Sequence, residues 1–465
     1  MQGNSNVEED VEHSGSRPIR RAICALLKLM LRVFFRRIEV AGLERVPKQG
    51  GTLFVLNHPN GLVDPVFILC LSTRSVSFLA KSTLFRMPII NYFVRALDSI
   101  PVYRKQDEGE DTSRNDETFQ LCRSVLASGG AIAICPEGVS HNEPRLRPLK
   151  TGAARIVLGA ASMGGDSLDL HVVPCGLYYT AKTTFRSEAL LYFGESIKVE
   201  PVSLDEEGEP SREAVNEFSQ RIEHALQDVV LNAEHEEALN TIARAERIFS
   251  SEVSDGEEQS LAREFKLRRR FIEGYTFLRA HAPERLAMLT SRITRYEEEL
   301  NQIGIDPDEL EAPNSLGSVA LHAVTRVALF LLLLPFAVTG AIVHYPAYKL
   351  AGFFAVKFSH SYDDVVSTIK ILAAACLFPL TWAAISAACY IRFGWAYAVG
   401  CLIIIPVAGY VAVRFFEELD RFVAGARALL FFVTRRWFFK KLLVERRAIH
   451  EEILALGSKA VSLRS

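Results

Sequence analysis

The sequence predicts an α/β fold: a mostly parallel sheet flanked by helices, followed by a helical insert and a C-terminal α-helical membrane section. Three observations lead there. Between about residues 40 and 200, short apolar runs alternate with helical stretches. Strands that are apolar throughout belong in a sheet covered on both faces, and the alternation makes that sheet largely parallel. From about 204 to 312 the chain is acidic, and Val215, Phe218, Ile222, Ala225 and Val229 recur at helical spacing without strand signals. Beyond 315, three long runs carry no Asp, Glu, Lys or Arg.

Taken in order, residues 1–16 are polar and acidic and are expected to be disordered, with no secretory signal. Residues 17–39 hold an apolar run flanked and interrupted by basic residues. It is too short and too charged to span, so an interfacial amphipathic helix is expected, with a core helix as the alternative. A domain over 40–203 follows. Its strands are expected at 52–56, 76–79, 99–103, 131–135, 171–174 and 190–193, and its helices at about 65–72, 85–96, 112–128 and 149–163. In such sheets the site lies at the carboxyl ends of the strands. The corners after Leu56, Tyr103 and Cys135 are all such ends.

The soluble helical region, 204–312, is expected to hold helices at 211–231, 234–249, 258–281 and 283–303; lid, packing domain and acyl-chain wall are all open roles for it. The membrane section, 313–415, contains segments near 327–348, 371–391 and 393–413, each long enough for a hydrocarbon core of about 30 Å. Residues 416–465 read as a basic cytoplasmic helix: eight Lys and Arg stand between Arg421 and Arg447 against one acid, Glu445. A cytoplasmic body and a cytoplasmic tail need an even number of crossings. The first run contains Pro335 and is therefore expected to dip and return or to split, leaving 371–391 and 393–413 as a spanning hairpin.

Composition narrows the function. The 465 residues carry a net charge of −2, are 49% hydrophobic and have a mean hydropathy of +0.14. No nucleic-acid partner is expected. The eight cysteines show no zinc or thioredoxin spacing and read as buried apolar residues in a reducing compartment.

Four stretches carry chemistry. The first is Asn57-His58-Pro59-Asn60-Gly61-Leu62-Val63-Asp64, between a buried strand and a helix start. A carboxylate near a His fixes the imidazole tautomer and steadies the imidazolium formed when a hydroxyl is deprotonated, although a helix cap looks alike in sequence. The second, Ile100-Pro101-Val102-Tyr103-Arg104-Lys105, sets cations at a strand end. The planar fork of Arg104 suits a phosphate. The third runs from Pro136-Glu137-Gly138-Val139-Ser140-His141 through Arg145, Arg147 and Lys150 to a small-residue helix. It offers backbone N–H groups, a helix N-terminus and several cations, or simply a basic loop. The fourth, Val172-Val173-Pro174-Cys175-Gly176-Leu177-Tyr178-Tyr179, reads as an irregular strand on a pocket wall or as a bulged edge strand.

In order and spacing these four stretches resemble the motifs of the glycerolipid acyltransferase superfamily, the PlsC-like or lysophosphatidate acyltransferase family. Asn57, His58 and Asp64 match its first motif and Arg104 its second. Pro136, Glu137, Gly138 and Ser140 match the third, and Val173, Pro174 and Gly176 the fourth. Two departures stand out: five residues, not the usual four, separate His58 from Asp64, and Cys135 replaces a Phe. One extra residue on a continuous helix would swing Asp64 by about 100°; an Asn-Gly turn ahead of the helix can absorb it. The longer spacer, the insert and the membrane segments are similar to the fungal-type glycerol-3-phosphate/dihydroxyacetone phosphate acyltransferases and their bacterial relatives.

The resemblance implies the first step of phosphatidate synthesis, transfer of a fatty acyl group from acyl-CoA or acyl carrier protein to a hydroxyl of glycerol-3-phosphate or dihydroxyacetone phosphate. It implies His58 and Asp64 as catalytic, and Arg104, Glu137, Gly138, Ser140, Arg147 and Lys150 as substrate-binding. It implies no cofactor beyond the acyl co-substrate and no metal. It also implies an integral membrane protein whose catalytic domain faces the cytoplasm, at the endoplasmic reticulum of a eukaryote or the inner membrane of a bacterium. A lysolipid acceptor, or an inactive membrane-anchored lipid-binding protein, are the alternatives.

Overall fold

A computed structural model describes residues 16–107, 109–164, 168–233, 236–253, 260–303, 316–359 and 363–462. Residues 1–15, most of the segment expected to be disordered, lie outside the described residues. The chain divides into two compact units, residues 1–232 with 362–368, and residues 233–361 with 369–465.

The first unit is built on eight strands. These are β1 (Arg37–Ala41), β2 (Gly51–Leu56), β3 (Val76–Lys81), β4 (Ile100–Val102), β5 (Ala131–Ile134), β6 (Leu170–Tyr179), β7 (Glu188–Phe193) and β8 (Ile197–Lys198). The order is β1-β7-β6-β2-β5-β3-β4, with β8 on β6. Every pairing is parallel except those of β6 with β7 and with β8. The expected mostly parallel sheet is therefore the one found. Because β2, β5, β3 and β4 run the same way, the corners after Leu56, Val102 and Ile134 open on one edge of the sheet.

Leu53, Phe54, Val55 and Leu56 on β2 are fully buried, as a continuous apolar run requires. Its helices are α1 (Ser16–Phe34), α2 (Val63–Leu71), α3 (Pro88–Ala96), α4 (Asn115–Ala127), α5 (Gly152–Gly164) and α6 (Arg212–Gln227). Leu53, Ile132, Leu126, Val157 and Phe218 share one core cluster. The last of these belongs to α6, so the boundary expected at 203 falls inside this unit. The apolar stripe of α6 covers the core, and the first unit continues to Asn232.

Two other expectations change here. Part of 17–39 is strand, because the alternating Arg37-Ile38-Glu39-Val40-Ala41 pairs in parallel with β7. The fourth stretch is neither irregular nor an edge: β6 is a ten-residue strand with β2 and β7 as neighbours. Its Gly176 has a packing reason, since a Cβ there would lie 1.6 Å from the Val229 carbonyl oxygen. Helix α1 presents apolar groups on two sides. Ile23, Leu31 and Phe34 are buried, while Leu26 and Leu29 are more than half exposed. Arg20 fastens it to the body through Val76 O, Leu97 O and Asp98, at 2.6–2.8 Å.

The second unit is helical: α7 (Glu236–Val253), α8 (Leu261–His281), α9 (Pro283–Ile303), α10 (Leu316–Phe358), α11 (Asp363–Phe393), α12 (Trp395–Thr434) and α13 (Arg436–Ser462). Ile248, Ile293, Tyr296, Phe439, Leu442 and Ile449 gather α7, α9 and α13 around one core. The insert thus packs with the C-terminal helix of its own unit. The stretch read as one basic helix is divided at Arg435 between the end of α12 and α13.

Ala323–Phe358, Val365–Phe393 and Trp395–Thr434 are long and apolar enough to cross a membrane. Large apolar side chains such as Leu331, Val356 and Ile391 stand two-thirds exposed or more, as lipid-facing groups would. The first apolar run neither splits nor returns: α10 continues through Pro335 and Pro346. The Thr339 hydroxyl donates to Pro335 O at 2.8 Å on the turn that follows. Small residues bring α10 and α12 together, since a Cβ on Gly340 would meet Ala408 O at 2.1 Å. His344 on α10 donates from Nδ1 to Gly340 O and accepts at Nε2 from Trp382 of α11, at 2.8 and 2.9 Å.

Candidate active site

Strand β2 ends at Leu56, and Asn57 continues its pairing with side-chain atoms. The Asn57 amide donates to Leu177 O at 3.0 Å and accepts from Leu177 N–H at 2.7 Å. The first residue of the motif is therefore an extra rung on the β2–β6 ladder, and it fixes where His58 leaves the sheet. The chain then turns through Pro59-Asn60-Gly61-Leu62. Gly61 sits at φ 32, and α2 begins only at Val63. The additional spacer residue lies in the turn rather than the helix, so Asp64 is not swung away.

The two side chains meet: His58 Nδ1 lies 2.9 Å from Asp64 Oδ2. The Asp64 side chain is fully buried, whereas 18% of the His58 side chain is exposed. Asn60 N–H donates to the same Oδ2 at 2.7 Å. An acceptor this well held orders Nδ1 to carry the proton and leaves the lone pair on Nε2. Among the described residues Nε2 has no hydrogen-bond partner.

Sequence reasoning missed Tyr179. From the end of β6 its hydroxyl donates to Asp64 Oδ1 at 2.6 Å. Its ring stacks on Phe35 and meets Phe67 edge-on, with centroids 5.6 and 5.7 Å away. Burial of the hydroxyl end, with the charge of Asp64 added, pushes the Tyr179 phenol well above its ordinary range. It stays a donor across the working range of pH. The only sequence signal was its place in the fourth motif strand.

The third stretch sits beside the first, tied by His141 N–H donating to His58 O at 3.1 Å. Glu137 is 3% exposed. Its Oε2 accepts from the His141 ring at Nε2 and from Arg147 N–H at 2.9 Å, while Oε1 is buried without a partner among the described residues. The Nδ1 of His141 accepts from Glu143 N–H at 3.2 Å. Asn57, His58, Glu137, His141, Arg145 and Leu146 line one cleft. Gly138 adopts φ 73, and the Lys150 side chain fills the space a Cβ there would need. Ser140 is half-buried on the same loop.

The cations are arranged differently from the expectation. Arg104 grips Asp107 with Nε and Nη2, at 3.0 and 3.1 Å, and Gly138 O with Nη1 at 3.0 Å. Lys81 adds to Asp107 at 3.2 Å. Burial favours the neutral acid, but these hydrogen bonds outweigh it and hold the Asp107 carboxyl below its ordinary range. In this structure Arg104 braces the Pro-Glu-Gly turn, and the Arg147 head pairs with Glu143 at 2.8 Å. Lys150 and Arg145 form no side-chain hydrogen bond or ion pair with another described residue.

Two family models match the chain in succession. The first, described as Acyltransferase, covers residues 37–178. The second, the Glycerol-3-phosphate acyltransferase 2 C-terminal domain, covers 241–459. The chain thus carries an acyltransferase domain followed by a domain of the glycerol-3-phosphate acyltransferase C-terminal kind. It is 26% identical over 474 residues to Glycerol-3-phosphate O-acyltransferase 1 of Saccharomyces cerevisiae, covering 80% of this chain and 61% of that protein. It is 25% identical to an uncharacterised acyltransferase of Schizosaccharomyces pombe, covering 84% of this chain and 73% of that one. The crystal structure of the lysophosphatidate acyltransferase PlsC from Thermotoga maritima is 19% identical, with a TM-score of 0.34, over 46% of this chain and 80% of that one. The chain thus spans less than two-thirds of the length of its Saccharomyces relative.

Proposed function

We propose that the protein is a membrane-bound O-acyltransferase that moves a fatty acyl group from a thioester, acyl-CoA or acyl carrier protein, to a hydroxyl of glycerol-3-phosphate or dihydroxyacetone phosphate. The observation that carries the reading is the 2.9 Å contact between His58 Nδ1 and a fully buried Asp64, with Nε2 left on the cleft side. Two successive domain matches, the second described as a glycerol-3-phosphate acyltransferase C-terminal domain, and the 26% identity to a yeast glycerol-3-phosphate O-acyltransferase support the acceptor class.

His58 Nε2 takes the acceptor hydroxyl proton as the oxygen attacks the thioester carbonyl. Asp64 stabilises the imidazolium that forms. The tetrahedral intermediate collapses, the C–S bond breaks, and the leaving thiolate recovers the proton from His58. No acyl-enzyme is required. With glycerol-3-phosphate the Glu137 Oε1 accepts from the second hydroxyl, which dihydroxyacetone phosphate lacks, and Lys150 with Arg145 meets the phosphate. Arg104, Gly138 and Ser140 shape that end of the site, and Arg147 contributes its backbone N–H to Glu137.

The three apolar helices and the outward face of α1 hold the enzyme where acyl chains partition. We place the catalytic unit on the cytoplasmic face. Protease treatment of sealed vesicles, with tags on the catalytic unit and after Ser465, tests both the side and the number of crossings. Purified full-length protein supplied with labelled acyl-CoA and a panel of acceptors tests the reaction. Acylation of lysophosphatidate in place of the two proposed acceptors would overturn the assignment.

A further inference from the structure

We propose that Thr368 and Ser367 are positioning residues for the catalytic loop, so that the segment opening α11 completes the active site. This rests on the reading of His58 as the base. The described residues 363–368 fold with the first unit, although 130 residues separate them from Asn232.

Helix α2 carries Asp64 at its second position, but its N-cap residue, Leu62, makes no side-chain cap. Val63 and Asp64 N–H both turn back to Asn60 O, at 2.9 and 3.2 Å. Leu62 N–H finds its acceptor 306 residues away, in Thr368 Oγ1 at 3.2 Å. In a capping box the N–H of the N-cap residue is met by a side chain at the third helical position, and here that position is Pro65, which has no acceptor to offer. Here the loop with one residue more than usual leaves an amide that a distant hydroxyl satisfies.

The other end of the loop is held by a relay. Lys182 Nζ donates to Pro59 O at 2.9 Å and also bonds the Asn142 side chain. Lys182 O in turn accepts from the Ser367 hydroxyl. Ser367 is fully buried and Thr368 is 7% exposed. The loop between His58 and Asp64 is thus held at Leu62 by Thr368 directly and at Pro59 by Lys182, whose carbonyl Ser367 in turn holds. Thr368 falls within the stretch matched by the second family model. The C-terminal region therefore does more than anchor the protein; it supplies the partner that the long spacer requires.

The test uses the full chain with Thr368→Val, Thr368→Ser and Ser367→Ala, beside His58→Ala. Valine keeps the shape and loses the oxygen; serine keeps the oxygen. Two measurements are made: steady-state acyl transfer, and carbethoxylation of His58 by diethyl pyrocarbonate against pH, resolved by peptide mass spectrometry. Thr368→Val is expected to lower kcat about tenfold with KM for both substrates changed less than about twofold. It is also expected to move the pH midpoint of His58 modification. Thr368→Ser restores both.

A Thr368→Val protein with the wild-type kcat and the wild-type modification profile would overturn the proposal, as would a Thr368→Ser protein impaired to the same degree. Should Thr368→Val not fold, Ser367→Ala, which removes only the bond to Lys182 O, is read by the same two criteria. If the wild type transfers no acyl group, the proposed reaction falls, and the His58 profile still decides the brace: a shift supports it and an unchanged profile contradicts it.

Discussion

His58 and His141 each lie against a buried carboxylate in the same cleft, yet their surroundings differ. The Nδ1 of His58 is held by Asp64 at 2.9 Å, its other nitrogen has no described partner, and 18% of its side chain is exposed. His141 uses both nitrogens within the protein, one on Glu137 and one on the Glu143 N–H, and 9% of its side chain is exposed. A histidine beside an acid becomes a base only when one nitrogen is anchored and the other left over. Where both are engaged, the pair is a clamp, here holding Glu137 and the loop in place. The two carboxylates differ likewise. Asp64 has both oxygens occupied, whereas Glu137 keeps one in reserve.

Variants sharpen this contrast, and the largest effect belongs to the base. His58→Ala is expected to lower kcat by about 10³-fold, the upper part of the range for a positioned general base. Asp64→Asn keeps the shape but removes the charge and permits the wrong tautomer; about 10²-fold is expected. Tyr179→Phe follows, at about tenfold in kcat, with circular dichroism unchanged.

His141→Gln should break the clamp and not the chemistry. Thermal stability falls, the acceptor KM rises about threefold, and kcat changes by less than about threefold. A loss in kcat equal to that of His58→Ala would erase the distinction between the pairs. The smallest effect is at Asp107, whose carboxyl is held below its ordinary range by Arg104 and Lys81. A depressed carboxyl contributes stability above the unfolded-state value, near 3.9, and loses it as pH falls through the folded one. Asp107→Asn should therefore cost about 1 kcal/mol at pH 7 in urea melts, and the gap to wild type should close as the medium is acidified below pH 4.

Much of the catalytic unit was legible because its strands are apolar on both faces. Leu53–Leu56 and Ala131–Ala133 can only be central in a covered sheet, and their order fixes which corners share an edge. β1 was not legible, since Arg37-Ile38-Glu39-Val40-Ala41 alternates beside a basic helix and takes its partner from β7, some 150 residues on. His58 and Asp64 could be named from spacing, but their meeting depended on where α2 starts, which a single glycine at φ 32 helps decide. Tyr179 and Thr368 were beyond sequence pattern, because each acts on a residue more than 100 positions away. Arg104 was chosen for its fork, and the fork is filled by Asp107 three residues later. The prolines of α10 suggest a break, and the helix instead runs through both.

The most direct measurement is acyl transfer by the purified full-length chain, from labelled acyl-CoA to glycerol-3-phosphate, with wild type and His58→Ala assayed side by side. The account predicts a labelled monoacyl glycerol phosphate from the wild type and a loss of about 10³-fold in the variant. Equal rates from the two proteins would contradict it.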